Sequence, residues 1–358
     1  MSEPHPALFD LAARRPLPDD LDPAGLLESS IDHRVTGLLA LRPPSSMDEI
    51  DRAHLRGVQA AMWAQNTSLR HRLSEILAIA SSLGIRVAVM KGVVAEQLWY
   101  DTVGERVASD LDVVVDTSNI AAVIDFVTEL DPSNRILPYL PAFLRDRCVQ
   151  SADLQFRDTA VDLHFDPLKL EILRMRGQDR FWSCLRSVDM DGYTAEAPSA
   201  SHALVLSLLH TMRDRFRWIG AYAEVARIVK DPDLDWDEVE RFAKDEGLLA
   251  PVAFALDRVT SGLRLPSQPD LTHSKSMMVS TLWPRHRALQ GTPDVSPPRR
   301  STLKLAAMSR GRSGSAIVGW GRRIFPPKIL LDYYHPGRGG YVFKVITARL
   351  SKRLGPLG

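Results

Sequence analysis

The sequence predicts an α+β protein: a small mixed sheet with flanking helices, and helical regions before and after it. Three observations carry this expectation. The short apolar run Val87 to Met90 is followed by Lys91-Gly92 and then by an amphipathic stretch, Val93 to Tyr100, so strand, turn and helix come in order. A second apolar run, Leu111 to Val115, is entered through Asp110-Leu111-Asp112. Long stretches with apolar residues at helical spacing lie on both sides of this region.

Taken in order, the Pro-rich, acidic opening to about Pro23 reads as loosely ordered, and Pro43-Pro44-Ser45-Ser46-Met47-Asp48 breaks the chain ahead of a long helix. That helix runs from Ala53 to roughly Leu83, with Leu55, Val58, Met62, Leu69, Leu73, Ile76 and Leu77 near helical spacing, and closes at Gly84. Asp153 to Asp166 alternates as two strands joined by the turn Arg157-Asp158-Thr159-Ala160, which puts Asp162, His164 and Asp166 on one face and Leu163 and Phe165 on the other. Asp166, followed by Pro167, reads as a helix N-cap. Helices follow at about Pro167 to Arg176, Ser201 to Phe216, Arg217 to Lys230, Trp236 to Glu246 and Leu248 to Leu263. Asp231-Pro232-Asp233 separates two of them, and Asp235 or Asp237 starts the next. Four regions result: a helical extension over 1–84, a core over 85–175, a helical domain over 176–290 and a basic tail over 291–358.

Composition narrows the class. With 358 residues, 45% hydrophobic and 25% charged, the chain can bury a sizeable core. Cys148 and Cys184 lack C-x-x-C spacing, which excludes a disulfide framework and a zinc ribbon and makes both reduced thiols; no His pair has zinc-site spacing either. No apolar run approaches the ~18 residues of a membrane span, and the N-terminus lacks a signal-type apolar region, so the cytoplasm is the expected location. Charge is uneven. Residues Arg299 to Gly358 hold 13 Lys or Arg against the single acid Asp332, a balance of +12 that leaves −11 on the rest of a +1 chain. Behind the linker Gln290 to Pro298, this tail is suited to nucleic acid or an anionic surface, or to folding across the acidic core through residues such as Trp320, Phe325 and Tyr341. The glycine-rich patch at Gly311, Gly314, Gly319 and Gly321 lacks phosphate-loop spacing.

The chemistry-bearing segment is Val87 to Asp116. Carboxylates at i and i+2 entering a strand point the same way and can share divalent cations. A Gly at a strand-to-helix turn frees the backbone to approach a phosphate. Acidic residues also begin strands simply because they sit at the solvent edge.

These residues resemble the nucleotidyltransferase superfamily that includes DNA polymerase β, and within it the group called uncharacterised nucleotidyltransferase family 5. The resemblance lies in VMKG at Val89 to Gly92, the helix ending QLWY from Gln97 to Tyr100, Arg106, and SDLDVVV from Ser109 to Val115. Lys91-Gly92 stands where most of the superfamily has Gly-Ser or Gly-Gly, a swap the subgroup shares. A VDLHW-like stretch is matched by Asp162 and His164, with Phe165 in place of Trp. Asp153, on the facing strand, competes with Asp162, and the family motif alone favours Asp162. Ser207 to Val229 is similar to the family's H...RLRWLYDIARLL, with His210 at the His position and Glu224 in place of Asp.

The resemblance implies a polymerase β-like fold and NMP transfer from an NTP, through two Mg²⁺ ions held by Asp110, Asp112 and Asp162, to a hydroxyl or phosphate of an acceptor such as a peptide or sugar, with pyrophosphate released. Lys91, Gly92, Arg106 and Ser109 would serve the nucleotide. Lys91 could instead pair with a site carboxylate, and Arg106 could clamp phosphate or fold its loop onto Asp112. His164 is a base or ligand, or a hydrogen-bonded structural residue; His210 and Glu224 line an acceptor pocket or pack helices. Two other readings stand: a regulator of toxin-antitoxin type that nucleotidylates protein or tRNA, and a silent scaffold that binds a partner through the basic tail.

Overall fold

The computed structural model describes residues 4–265 apart from 19, 148, 169 and 171–173, together with Tyr333. Its opening segment, expected to be loose, holds a short helix among irregular residues. Helix α1 (Ala7–Ala12) buries Ala7, Leu8, Leu11 and Ala12 on one face, and α2 (Leu26–Asp32) and α3 (Thr36–Leu41) follow. Four apolar residues on one helical stripe outweigh the flanking prolines, because packing rather than composition decides so short a helix. The long helix α4 (Glu49–Ser82) starts earlier than expected, where the Asp48 carboxylate accepts the N–H of Asp51, and ends ahead of Gly84 at φ 61.

Strand β1 (Val87–Met90) leads through Lys91 into α5 (Gly92–Trp99), and β2 (Leu111–Val115) leads to α6 (Ile120–Leu130) and α7 (Leu140–Arg145). The hairpin β3 (Ser151–Phe156) and β4 (Thr159–His164) completes a four-stranded sheet of order β1-β2-β4-β3. It is mixed: β2 runs antiparallel to β1 and parallel to β4, and β3 is antiparallel to β4. Every residue of β1 and β2 is buried, as expected of strands covered on both faces, whereas β3 alternates. The hairpin turn is tighter than the four residues expected. Arg157, at φ 54, and Asp158 form it, while Thr159 and Ala160 pair with Phe156 and Gln155.

Two further departures follow. Of the helix expected from Pro167 to Arg176, the described residues show none: Pro167 and Leu168 form a turn, and Arg174 and Met175 are irregular. Asp166 is therefore no helix cap. Wholly buried, it accepts the N–H groups of Leu168 and Met175 and so closes a loop. Beyond α8 (Gln178–Ser183), a second hairpin of β5 (Leu185–Asp189) and β6 (Thr194–Pro198) turns at Asp191 and Gly192, both at positive φ. It packs β6 beside β1, and Arg86 reaches Glu196 with two 2.8 Å bonds.

The remaining helices fall within a few residues of expectation: α9 (Ala200–Arg213), α10 (Ile219–Ile228), α11 (Trp236–Asp245) and α12 (Leu249–Gly262). Asp235 caps α11 by accepting from Asp237 and Glu238. Two cores result. One joins α1 to α3 with α9 to α12; the other lies between α4, the mixed sheet, α6 and α7. Among the described residues no helix is long and apolar enough to cross a membrane. The linker, glycine-rich patch and basic tail lie outside the described residues, apart from Tyr333, whose ring lies 5.5 Å from Tyr139 and 5.4 Å from Phe143 with Arg135 over it.

Candidate active site

The parallel register of β2 and β4 sets Asp112 beside Asp162 and Val114 beside His164. Since side chains alternate along a strand, Asp112, Asp162 and His164 share one face, and their ligand atoms all lie within 4.8 Å of one another. His164 is wholly buried, with Nε2 2.9 Å from Asp112 Oδ1 and 3.3 Å from Asp162 Oδ2. Carboxylates only accept, so Nε2 carries the proton and donates to Asp112, with Asp162 close beside it. Asp153 sits opposite Asp162 in register but is exposed and outside the cluster. Asp110 stands one residue before β2, where Ser109 Oγ donates to it at 3.1 Å.

Electrostatics drive the two carboxylates of the Asp110-Leu111-Asp112 pair apart. Burial raises the Asp110 pKa, and the Asp112 and Asp162 charges raise it further, although Asp110 stands outside the close group of Asp112, Asp162 and His164. Burial also acts to raise Asp112. The Lys91 ammonium, 3.2 Å away, and the His164 hydrogen bond overcome it and hold Asp112 well below the usual carboxylate range. A stability prediction follows. A carboxyl with a raised native pKa binds more protons in the native than in the unfolded state, so stability falls as pH rises from 3.8 through the raised value, and the penalty persists at neutral pH. Asp110→Asn is therefore expected to melt higher than wild type at pH 7 without metal, and to lose that advantage near pH 3. A lower melting temperature at pH 7 would contradict the like-charge reading.

The turn between β1 and α5 brings a helix N-terminus to these carboxylates. Lys91 and Gly92 both have positive φ, and a Cβ on Gly92 would lie 3.4 Å from the Asp110 carbonyl. Arg106 reaches the helical region instead of folding its own loop onto Asp112: its Nε donates to Glu224 at 2.7 Å, and Glu224 also accepts from Ser207 at 3.0 Å. His210 accepts from Arg213 at Nδ1 and lies 3.2 Å from Asp214 at Nε2. Burial, then the Lys91 and Arg213 charges, hold it well below the ordinary imidazole pKa and keep it neutral. Lys91, Arg106, His210 and Glu224 all line one cleft.

Sequence reasoning missed the residues that hold this loop in place. Buried Glu96 accepts from Asn66 and from the backbone of Gly104, both at 2.8 Å, and Glu105 pairs with buried Arg227 at 2.9 Å. The available signal was a glutamate on the apolar face of α5, between Val93, Val94 and Ala95 and the chain ahead.

The donor set fits a divalent cation. Asp112 and Asp162 set carboxylate oxygens side by side, within 4.8 Å of each other, the oxygen donors a hard divalent cation takes. Three carboxylates face one ammonium, Lys91, so the centre carries negative charge to be met. A second group, Cys184, His202 and Glu238, also comes together, unforeseen because the three are far apart in sequence. Arg180 already grips Glu238 at 2.9 Å and 3.0 Å, with Arg241 at 3.1 Å, so guanidinium charge fills the place of a metal there.

A small mixed sheet with neighbouring acidic strands, beside a strand-turn-helix unit and a polar cleft, defines the nucleotidyltransferase class of fold. The chain belongs to the family described as uncharacterised nucleotidyltransferase, which it matches over residues 19–261. Among solved structures it is similar to an antigenic nucleotidyltransferase-like protein from Paracoccidioides brasiliensis, with 15% identity over 60% of this chain and 94% of that one; the TM-score is 0.32, too low to carry any argument. No curated protein matches.

Proposed function

We propose that this protein transfers an NMP from an NTP to a hydroxyl or phosphate of an acceptor in the cytoplasm, where NTPs are made, and releases pyrophosphate. The observation that carries the reading is the side-by-side placement of Asp112 and Asp162, 50 residues apart in the chain, by two parallel strands, with both charges felt at Asp110. Asp110, Asp112 and Asp162 would hold Mg²⁺. When bound, the metal supplies Lewis-acid charge that eases attack on the α-phosphorus and departure of pyrophosphate.

The chain's own groups do the remaining work. His164 donates to Asp112 and so orients it beside Asp162, which makes it a positioning residue. Lys91 holds Asp112 in the absence of substrate and is close enough to turn to a phosphate when a cation takes over that carboxylate. The first amides of α5, next to Lys91 in the chain, would favour anions. Arg106, fixed by Glu224, keeps the loop before Asp110 in position and contributes to the cleft.

Thermal unfolding of the full chain with each of the four NTPs, with and without Mg²⁺, tests the proposal. At ~100 times its dissociation constant a ligand adds about 2.7 kcal/mol to the native state. The expected result is a metal-dependent rise with at least one NTP, and pyrophosphate release once an acceptor is supplied. No shift with any NTP under either condition would sink it.

A further inference from the structure

The cleft that holds Lys91 and His210 is also lined by Trp218 and Arg34, which come from opposite ends of the described chain. The Arg34 guanidinium lies 4.3 Å from the centre of the Trp218 ring, and that of Arg217 lies 4.5 Å from it. Arg34 is exposed, and among the described residues no carboxylate pairs with it. The chain goes to some length to keep this corner. Gly220 donates its N–H to the His33 carbonyl at 3.0 Å, and a Cβ on Gly220 would fall 2.8 Å from the Arg34 carbonyl, so only glycine lets the two segments meet. Arg34, Arg215 and Phe216 all have φ near 60°, a conformation disfavoured for a non-glycine residue that survives where surrounding structure enforces it.

Resting on the nucleotide reading above, we infer that Trp218 and Arg34 form the base-binding wall of the NTP site, with a planar heterocycle stacked on this pair and its phosphates directed along the cleft to Lys91 and the start of α5. A single ligand accounts for both ends, because a nucleotide is anionic at one end and planar at the other. Indole and guanidinium planes stack on any base, since every base has a π face, so this wall sets affinity and leaves base choice to other contacts. The N-terminal helical layer, through Arg34, thereby becomes part of the substrate site.

The test compares Mg²⁺-ATP with Mg²⁺-tripolyphosphate, which lacks a base, in calorimetric titrations of the full chain. Stacking is worth about 1–3 kcal/mol per base, so Trp218→Leu and Arg34→Ala are expected to weaken ATP by roughly 5- to 150-fold and leave tripolyphosphate unchanged, while Trp218→Phe keeps most of the ATP affinity. Arg34→Ala, at an exposed position, keeps the test open if Trp218→Leu fails to fold. Unchanged ATP affinity in a folded variant overturns the inference, as does an equal loss for both probes, which would mark a phosphate contact. Wild-type protein that binds neither probe overturns the nucleotide reading itself.

Discussion

Asp112→Asn is expected to lower kcat/KM for nucleotidyl transfer by at least about 10³-fold while leaving the protein folded, because several kcal/mol of charge stabilisation from the metal is lost at about 1.4 kcal/mol per tenfold. The change keeps the shape and one oxygen for the Lys91 and His164 bonds, and removes the charge that a cation requires. Asp162→Asn should behave alike, since the two carboxylates lie side by side and share His164. Asp153→Asn is the control: it faces Asp162 across the hairpin, is exposed, and should cost little. The stability effects of the strand-entry carboxylates should also have opposite signs. Asp112, with a depressed native pKa, adds stability that is present above the unfolded-state value of 3.8 and fades as pH falls toward the native one. Its neutralisation therefore lowers the melting temperature at pH 7, where neutralising Asp110 raises it. Pyrophosphate release, equilibrium metal binding and melting curves read the three effects separately. Full activity in folded Asp112→Asn would remove the metal centre from the account.

The site was legible where local pattern coincided with tertiary need. A strand buried on both faces is almost wholly apolar, so Asp112 within Leu111–Val115 stands out as a charge that needs a reason. Alternation in Ser151–Phe156 and Thr159–His164 likewise announces a hairpin. What alternation cannot supply is the partner strand. That β4 lies parallel to β2, and so brings Asp162 to Asp112, depends on a crossover through α6 and α7, which no short-range signal states. Asp153 and Asp162 look equivalent in sequence for the same reason. Other features were missed although a signal existed. Asp191-Gly192 between two short segments is a strong hairpin cue, overlooked because LRSVD and TAEAP are poor strand formers. The stripe Ala7, Leu8, Leu11 and Ala12 was masked by the prolines around it. Trp218 and Arg34 lie 184 residues apart, and nothing local to either suggests that they meet.

Gly37→Ala is expected to destabilise the protein by about 3 kcal/mol or more, at the upper end of overpacking effects. A methyl group on this residue of α3 would fall 2.3 Å from the Gly104 carbonyl oxygen, 2.5 Å from that of Glu105 and 2.8 Å from the Glu105 carbonyl carbon. All three atoms are backbone, so no side chain can swing aside. The opposing loop has little room to retreat. Glu96 holds the Gly104 N–H at 2.8 Å, buried Arg227 holds Glu105 at 2.9 Å, and a Cβ on Gly104 itself would lie 3.1 Å from the Trp63 nitrogen. Either α3 backs away, opening the core it shares with α1 and α9 to α12, or the loop shifts and carries Arg106 away from Glu224. Both routes disturb the approach to Asp110, so transfer activity should fall along with stability. Gly57→Ala separates this steric effect from helix propensity. Gly57 lies inside α4 with nothing within 4 Å of its added Cβ, so there alanine should stabilise by roughly 0.5–1 kcal/mol. Urea unfolding midpoints should thus move in opposite directions for the same added methyl group. Equal midpoints for wild type and Gly37→Ala would mean that α3 does not seat against the 104–105 backbone, and the wall that carries Arg34 to the cleft would lose its footing.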